Sequence, residues 1–463
     1  MDQIPFETLW ANLSKDYLSK TEQNRLTEAA KERPVESFFL NPEVLMKEEL
    51  LSSYPFLEPD KKDPLLFRFR NGERMGKSLE AFGGGGYLLD PASASVSYYL
   101  APLLPAQATG LDLCAAPGGK SITLALRRRD VLLFANDLSY SRMDEMRKNV
   151  ERMGLTNVCC FSMDPKNLPS LPGFDFVILD APCSGSGMFR KERKMAEDYS
   201  EAKVRRLLPV QGALLDKAAT MLRKDGILAY STCSLSVEED EDQVKAFLNR
   251  HPEFVEVPIP KERGLVPGRF GVHFLPGFFD GEGLYLCLLR KKQGESLRFE
   301  EAKLKERPLL EGKVTFRLRK SRSVVDRMPA ALARLHYLSV GLKVDEESDH
   351  PKTPFDHAFS KVLPQANLLP LDEKEALAYA RGEEVRPSSE AKDGLVVVCY
   401  RHLRLGFGRL VQGRVKNSLP KGLRMDLFTA KQICSSGKEK SPQEEGSSKN
   451  SLVPTTGFGP ATH

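Results

Sequence analysis

Cysteine is scarce in this 463-residue sequence, and its spacing excludes the common metal and disulfide motifs. No pair of cysteines has CxxC spacing, and no cluster of cysteine and histidine resembles a zinc site, so we expect no bound metal. The eight cysteines stand at positions 114, 159, 160, 183, 233, 287, 399 and 434. In a reducing compartment such residues stay thiols.

Long hydrophobic runs, a secretory leader and a strong charge of one sign are missing as well. No stretch approaches the ~18 apolar residues that span a bilayer. The N-terminal "MDQIPFETLWANLSKDYL" has acidic residues and lacks the apolar core of a signal peptide. We therefore expect a cytoplasmic protein without a membrane partner. The net charge is only +5, so composition alone does not require a polyanionic partner.

The pattern along the chain divides it into segments. Residues 1–77 mix helical and strand-like pieces, and we expect a small α+β module that binds RNA. Between residues 78 and 292, strands that are apolar throughout alternate with helices, which predicts a doubly wound, Rossmann-like α/β domain. "GLYLCLLRK" (283–291) would be its last strand, at the edge of the sheet. Residues 293–310 suit a linker, and residues 311–432 suit a C-terminal β-rich domain that binds RNA. Residues 433–463, rich in Ser, Gly, Lys and Glu, are expected to be a disordered tail.

A turn of small residues follows the first strand of the predicted α/β domain. "LDLCAAPGGKS" (111–121) has the pattern of a strand, a turn and the start of a helix. Gly118 and Gly119 would let a ligand approach the helix N-terminus closely. The turn lacks the GxGxxG of a dinucleotide fold, and Cys114 stands where a P-loop has its first glycine. The alternative is a tight turn that binds no ligand.

Aspartates follow three further strands. Asp137 lies 137 − 114 = 23 residues beyond Cys114, a separation at which an acid can bind a ribose diol. Asp164 can accept the amino group of adenine, and Asp180 ends the fourth strand. Each aspartate alone is more often a helix cap or a turn residue. Together with the glycine turn they indicate an adenosine cofactor without a phosphate chain, and the missing GxGxxG favours S-adenosylmethionine over NAD.

Two cysteines, Cys183 and Cys233, follow strand ends and are expected to be neighbours at one edge of the sheet. They lie at polar turns, after Pro182 and Thr232, where a structural cysteine has little to pack against. The alternatives are a buried core position or a reversible disulfide. We expect a core position for Cys159, Cys160, Cys287 and Cys399.

A cysteine beside a methyl donor suits methylation at carbon 5 of cytosine. This carbon becomes nucleophilic when a thiolate adds to carbon 6, which is covalent catalysis. One cysteine can attack, and a second can assist release after the carbon 5 proton has left. Asp180 would bind and protonate N3 of the ring, and Lys120 would lower the pKa of the thiol. The base must be presented outside its stack.

Motifs across residues 78–292 resemble those of one enzyme family. "LDLCAAPGGKS", "DAPCSGSGMFRK" and "STCSLSVEEDE", together with "LLDPASASVSYYLAP" before them, resemble the Sun (nucleolar-protein) family of RNA cytosine-C5 methyltransferases. The resemblance implies that Cys233 is the nucleophile and that Cys183 assists product release. DNA cytosine methyltransferases attack with the cysteine of the "PC" motif, so the presence of both cysteines favours RNA. The implied cofactor contacts are Cys114, Ala115, Ala116, Pro117, Gly118, Gly119, Lys120, Asp137, Asp164 and Asp180.

The C-terminal part adds a second, more local resemblance. "LRLGFGRLVQGRVKNSLPKGLR" (403–424) is similar to the RNA-binding part of the bacterial branch that methylates 16S rRNA. It implies 16S rRNA or the small ribosomal subunit as partner, and we expect a monomer. "MDPKNL", around Asp164, departs from the family pattern. The alternatives are a tRNA or a DNA cytosine methyltransferase, or a ribosome-assembly factor that binds RNA without catalysis.

Basic clusters suggest where RNA phosphates would bind. The clusters are "FRKERK" (189–194), "FRLRKSR" (316–322) and "GRVKNSLPKGLR" (413–424), and phosphate contacts of this kind position RNA without reading its sequence. Each cluster can equally be a solvated surface. Phe189 can stack on a base or belong to the core.

Overall fold

The computed structural model describes residues 5–70, 74–262, 264–304, 306–318, 321–346 and 354–436. Most of the predicted tail, residues 437–463, lies outside the described residues. The first tail residues belong instead to a helix, Ala430–Ser436 (α12).

The N-terminal part combines four short helices with an antiparallel sheet. The helices are α1 (Phe6–Leu13) and α2 (Lys20–Ala29), followed later by α3 (Lys47–Ser53) and α4 (Leu79–Gly83). The strands are β1 (Val35–Leu40), β2 (Glu58–Pro59), β3 (Leu66–Arg70) and β4 (Gly86–Leu89), in the order β2-β3-β1-β4. Since β4 pairs with β1, this sheet continues beyond the limit expected at residue 77.

A parallel sheet forms the centre of the molecule and confirms the predicted doubly wound α/β fold. Its parallel strands are β5 (Thr109–Asp112), β6 (Leu132–Asn136), β7 (Val158–Phe161), β8 (Phe174–Asp180) and β9 (Leu222–Thr232), in the order β7-β6-β5-β8-β9. The helices are α5 (Pro91–Leu100), α6 (Gly119–Arg127), α7 (Tyr140–Arg152), α8 (Arg193–Glu197), α9 (Glu201–Met221) and α10 (Glu241–Arg250).

The strands are buried because hydrophobic layers cover both faces of this sheet. On β6, Leu133 and Ala135 belong to one core, and Leu132 and Phe134 belong to the other. This two-sided burial explains why the strands are apolar throughout. The chain runs from β5 through β6 to β7 on one side and through β8 to β9 on the other. The order reverses beside β5, and a crevice opens there at the carboxyl ends of the strands.

Antiparallel strands extend the sheet at both edges. Beyond β9 lie β10 (Phe254–Val257), β11 (Leu265–Pro267), β12 (Val272–Phe274) and β13 (Leu284–Lys291). A strand at 283–291 would be expected at the edge of the sheet, but this expectation is wrong, because β13 pairs with β9 on one side and with β10 and β12 on the other. Its residues are buried accordingly.

The C-terminal part is β-rich, as predicted, but its beginning belongs to the central sheet. Its strands are β14 (Val314–Leu318), β15 (Ser321–Val325), β16 (Tyr337–Val340), β17 (Leu342–Glu346), β18 (Leu368–Pro370), β19 (Gly394–Tyr400), β20 (Leu403–Val411) and β21 (Arg414–Asn417), with α11 (Glu373–Arg381) between β18 and β19. Strand β16 pairs antiparallel with β7. The central sheet therefore includes a strand that lies beyond the domain limit expected at residue 311.

Candidate active site

Polar and sulfur-bearing residues gather at the carboxyl edge of the parallel sheet. Asp112 ends β5, Asp137 follows β6, Asp180 ends β8, and Cys233 follows β9. Because these strands are parallel, their carboxyl ends meet at one edge. The residues flank the crevice beside β5, which is where open α/β sheets bind ligands.

The glycine turn leads into α6 as the sequence predicts. Gly118 has a φ of 112°, and a Cβ there would lie 2.8 Å from Cδ1 of Ile122, so a side chain would be strained at this position. A Cβ at Gly119 would meet only Cδ1 of Leu89, at 3.8 Å. The start of α6 therefore leaves open space into which a ligand can approach the backbone.

Asp112 is a site residue that the motifs did not single out. Its Oδ2 accepts a hydrogen bond from Oγ of Ser121 at 2.6 Å, and its Oδ1 accepts one from the backbone N–H of Cys114 at 3.2 Å. Burial raises the pKa of Asp112 to about 7, and the nearby Asp180 adds to the rise. Its position as the last residue of a buried strand is the signal that could have identified it.

Asp137 connects the loop after β6 to the glycine turn. It accepts hydrogen bonds from the backbone N–H groups of Ser139 at 2.9 Å and Ala116 at 3.2 Å, and it forms an ion pair with Arg142. Burial raises the pKa of Asp137, although Arg142 and the two amides oppose this effect. The next side chain, Leu138, is 67% exposed and offers an apolar surface beside the carboxylate.

Asp164 is placed less centrally. It precedes a short 3-10 helix, and its Oδ1 accepts a hydrogen bond from the backbone N–H of Lys166 at 2.9 Å. This is the ordinary capping contact of such a residue. A contact with a cofactor stays a prediction for Asp164.

Lys120 and Asp180 form an ion pair between the glycine turn and the cysteines. Nζ of Lys120 lies 2.7 Å from Oδ2 of Asp180, while Oδ1 of Asp180 accepts a hydrogen bond from Oγ of Ser231 at 2.9 Å. Burial would lower the pKa of Lys120, but Asp180, Cys233 and Asp112 together raise it above its usual value. The lysine therefore remains an ammonium group within the site.

The structure brings the two predicted site cysteines together. The Sγ atoms of Cys183 and Cys233 lie 3.2 Å apart, and both cysteines are free and half-buried. The hydrogen bond with Cys233, burial and the neighbouring carboxylates of Glu239 and Asp180 raise the pKa of Cys183 well above its usual value. Cys183 therefore stays a thiol at neutral pH. The four cysteines expected in the core, Cys159, Cys160, Cys287 and Cys399, are all buried.

The cluster after Cys183 is only partly available for RNA. Phe189 is fully buried and packs with residues of the N-terminal helices, so it belongs to the core. Arg190 is also buried and forms an ion pair with Glu282 at 2.8 Å. Both are therefore unavailable to a base or a phosphate, whereas Lys194 is exposed.

The two C-terminal clusters also differ. In the first, Arg322 pairs with Asp345, and residues 319 and 320 lie outside the described residues. In the second, Lys416 is exposed on β21 and lies directly opposite Arg409, an exposed residue of β20 that precedes the cluster. Like charges in this position are unfavourable without a counter-charge.

Within the described residues, the structure has neither a candidate metal site nor a membrane-spanning helix. Among the described residues, no group of three or more His, Cys, Asp or Glu is arranged to hold a metal ion. Within the same ranges, no helix has the length and apolar character needed to cross a membrane.

Comparison with known proteins identifies relatives of two parts of the chain. The family described as 16S rRNA methyltransferase RsmB/F matches residues 99–290, and the one described as methyltransferase RsmF PUA domain matches residues 366–425. The ribosomal RNA small subunit methyltransferase F of Psychromonas ingrahamii is 28% identical over 396 residues, which cover 76% of this chain and 82% of that protein. The protein of the same name from Enterobacter sp. (strain 638) is 30% identical over 354 residues, which cover 69% of this chain and 74% of that protein.

A solved structure shares the fold. The structure of NSun6 from Pyrococcus horikoshii with SFG superposes with a TM-score of 0.54 and 19% sequence identity. The superposition covers 64% of this chain and 99% of that one.

Proposed function

Because this chain belongs to the RsmB/F family of 16S rRNA methyltransferases, we propose that it methylates carbon 5 of a cytosine in 16S rRNA, using S-adenosylmethionine and a covalent bond from Cys233 to carbon 6. The observation that carries this proposal is the pair of thiols 3.2 Å apart, beside the Lys120–Asp180 ion pair, at the ligand-binding edge of the sheet.

The residues before α6 and after β6 fit the proposed cofactor. The open space at Gly119 suits a ligand that approaches the backbone, and Asp137 suits the ribose hydroxyls. Leu138 offers an apolar surface for the adenine ring. When bound, S-adenosylmethionine supplies an electrophilic methyl carbon. The other proposed contacts, residues 114–118 and Asp164, line the same edge.

Cys233 is the better of the two nucleophile candidates. Cys233 interacts electrostatically with the Lys120 ammonium, so its sulfur lies near a cation. Cys183 instead lies among groups that hold its proton. In the first step, the Cys233 thiolate forms a bond to carbon 6 while the electron pair of the ring double bond moves toward N3. Asp180 binds N3, and the proton shared by the Lys120–Asp180 pair compensates the developing charge.

Cys183 acts after methyl transfer. Carbon 5 then carries both the methyl group and its original proton. The proton passes to a water molecule, and the electron pair of its bond to carbon 5 forms the double bond between carbons 5 and 6. The bond from carbon 6 to Cys233 breaks in the same step, and Cys233 leaves as a thiolate. The Cys183 thiol, 3.2 Å away, is placed to assist this expulsion.

The C-terminal part supports RNA as the substrate. The exposed Arg409 and Lys416 lie opposite each other on neighbouring strands, and a phosphate backbone would supply a counter-charge to both. This hairpin lies within the segment that matches the PUA domain of the relatives. The second candidate function, a tRNA cytosine methyltransferase, uses the same residues and differs only in the RNA that is bound.

The test of the substrate is a labelling experiment. Tritiated S-adenosylmethionine is offered with 16S rRNA, small subunits, tRNA and DNA, followed by nucleoside analysis. We expect 5-methylcytosine in 16S rRNA or in the subunit. Label in tRNA alone would favour the second candidate, and label in none would favour an assembly factor without catalysis.

The tests of the cysteines separate attack from release. Cys233→Ala should abolish methylation while the cofactor still binds, as measured by calorimetry. Cys183→Ala should leave RNA covalently attached to the protein, visible as a retarded band in a denaturing gel. Cys434→Ala removes another half-buried thiol, outside the site, and should methylate normally. Full activity of Cys233→Ala would disprove the proposed attack, and a slow Cys183→Ala enzyme without adduct would disprove the release role.

A further inference from the structure

One buried carboxylate joins the two loops that carry the cysteines. We call residues 181–188 the Cys183 loop and residues 233–240 the Cys233 loop. Glu239 is fully buried in the second loop. Its Oε1 accepts a hydrogen bond from the backbone N–H of Ser184 at 2.8 Å, and its Oε2 accepts bonds from the hydroxyls of Ser184 at 2.5 Å and Ser234 at 2.6 Å.

The two serines are the residues that directly follow the cysteines. Ser184 follows Cys183 and Ser234 follows Cys233, so Glu239 binds the equivalent position of each loop. A hydrogen bond to an ionised acceptor is short and strong, particularly away from water. The backbone positions of Cys183 and Cys233 therefore both depend on the side chain of Glu239.

A third element fixes the carboxylate itself. Nε2 of Gln211, on α9, donates to Oε1 of Glu239 and to the carbonyl of Pro182, each at 3.0 Å. The hydroxyl of Tyr230, on β9, donates to the backbone carbonyl of Glu239 at 2.6 Å. Hydrogen bonds from α9 and from β9 therefore fix the position of Glu239, so that neither cysteine loop can move without breaking a contact with it.

We propose that Glu239 is a positioning residue that sets the distance between the Cys183 and Cys233 thiols. The proposal rests on the proposed function for its catalytic meaning, but the distance can be measured without catalysis. Other contacts cross between the loops, such as the hydrogen bond from the Gly187 N–H to the Cys233 carbonyl at 2.9 Å. The hydroxyls of Ser184 and Ser234 also lie 3.4 Å apart. Glu239 differs because it accepts shorter hydrogen bonds from both hydroxyls and one from the Ser184 N–H.

Two substitutions separate geometry from charge. In Glu239→Gln, the amide oxygen can still accept from the Ser184 N–H, and the amide NH₂ can donate to the two serine hydroxyls, since a hydroxyl also accepts. This variant keeps the contacts without the charge. Glu239→Ala removes both. Positioning predicts that the glutamine variant resembles the wild type and that the alanine variant does not.

The first experiment measures the thiol distance by oxidation. Diamide accepts two electrons and two protons as the two thiols form a disulfide, and the Cys183–Cys233 peptide is followed by mass spectrometry. We expect Glu239→Ala to form this disulfide at least tenfold more slowly than the wild type and Glu239→Gln to stay within twofold. Loss of a carboxylate near Cys183 would by itself lower the pKa of this thiol and speed its oxidation, so slower oxidation reports separation of the loops.

The second experiment measures methylation of 16S rRNA by the same variants. A misplacement of about 1 Å at reacting groups costs about 100-fold in rate, and we expect a loss of this size in kcat for Glu239→Ala. The Kd for S-adenosylmethionine should change less than twofold, because the cofactor residues lie on other loops. Glu239→Gln should keep at least a tenth of the wild-type kcat. If the charge itself were required, kcat for Glu239→Gln would fall as far as kcat for Glu239→Ala.

The controls make both outcomes decisive. Glu80 is a buried glutamate on α4 that accepts a hydrogen bond from Tyr54 at 2.5 Å, and Glu80→Gln should oxidise the two cysteines at the wild-type rate. If Glu239→Ala does not fold, the Ser184→Ala/Ser234→Ala double variant removes both hydroxyls and should also slow the disulfide. Wild-type oxidation in Glu239→Ala or in the double variant would overturn the proposal. Equal slowing of the glutamine and alanine variants would show that the loops also separate when only the charge is lost, and it would overturn the claim that the hydrogen-bond geometry holds them.

The two proposals fail separately. If Cys233→Ala still methylated RNA, the proposed function would be wrong, while the oxidation experiment would still report the distance between the loops. If Cys233→Ala is inactive and Glu239→Ala forms the disulfide at the wild-type rate, the proposed function stands and the positioning role of Glu239 is wrong.

Discussion

The loops that face the cofactor and the loops that carry the cysteines lie at one sheet edge but are held differently. Asp112 and Asp137, on the cofactor side, bind groups at most 21 residues away along the chain: Asp112 binds Cys114, and Asp137 binds Ser139 and Ala116. The cysteine loops depend on distant parts of the chain. Ser184 and Glu239 are 55 residues apart, and Nε1 of Trp10 donates to the carbonyl of Ser186 across 176 residues.

This difference indicates that the N-terminal helices support the cysteine side. Trp10 on α1 contacts the Cys183 loop, and the hydroxyl of Tyr17 donates to the carbonyl of Leu235 on the Cys233 loop at 3.2 Å. A locally held loop keeps its shape when remote contacts are lost, whereas a loop held from a distance does not. Residues 1–77 thus contact both cysteine loops. That they also bind RNA stays a prediction.

The largest effect is expected on the cysteine side, from Asp180→Asn. Lys120 would lose its ion-pair partner, and N3 of the base would lose the group proposed to bind it. We expect kcat for methylation to fall about 10²- to 10³-fold, measured at saturating cofactor and RNA. Ser231→Ala removes only the hydroxyl that contacts Asp180 and serves as the control. Retained activity in Asp180→Asn would remove this residue from the mechanism.

A smaller effect is expected on the cofactor side, from Asp137→Ala. A hydrogen bond to a charged group contributes about 1.5–3 kcal/mol, so the loss of even one ribose contact should raise the Kd for S-adenosylmethionine about 10- to 100-fold. Calorimetry would measure this rise, and kcat at saturating cofactor should change far less. Asp164→Asn, at the more peripheral contact, should have the weaker effect. A fall in kcat without a change in Kd would contradict the assignment.

The long-range support should give an effect of several-fold only. Trp10→Phe keeps an aromatic ring on α1 but removes the donor to Ser186, a hydrogen bond that contributes about 1 kcal/mol. We expect kcat to fall about fivefold and the Kd for the cofactor to stay unchanged. Tyr17→Phe, which removes the donor to Leu235, should behave alike. A higher Kd for S-adenosylmethionine in either variant would show that the cofactor loops also depend on the N-terminal helices.

The smallest effect on activity, but a clear one on stability, is expected from Asp112→Asn. The folded protein holds a proton on Asp112 up to a pKa of about 7, whereas the unfolded chain releases it near pH 4. The wild type therefore loses free energy of unfolding as the pH rises from about 4 to 7, by up to about 4 kcal/mol. The asparagine variant lacks this loss, so its melting temperature relative to the wild type should rise between pH 5 and pH 8. A constant difference would show that Asp112 is charged in the folded state.

The comparison also explains which predictions succeeded. The fold class and the meeting of Cys183 with Cys233 could be predicted because apolar strands that alternate with helices imply a parallel sheet, whose carboxyl ends share an edge. The predicted edge position of residues 283–291 was wrong because pairing partners at a distance decide which strand is outermost. Phe189 and Arg190 stand in a basic cluster, and only their packing against the N-terminal helices and Glu282 shows that they are buried.

The sequence by itself determined the local chemistry of this protein: the glycine turn, the aspartates at the strand ends and the two cysteines after β8 and β9. These features depend on residues that are close along the chain, so their spacing is sufficient to recognise them. Only the tertiary structure decided that Glu239 binds both cysteine loops, that Trp10 and Tyr17 support them, and that the Sγ atoms lie 3.2 Å apart. These contacts join residues that are far apart in sequence, and no local pattern records which distant groups folding brings together.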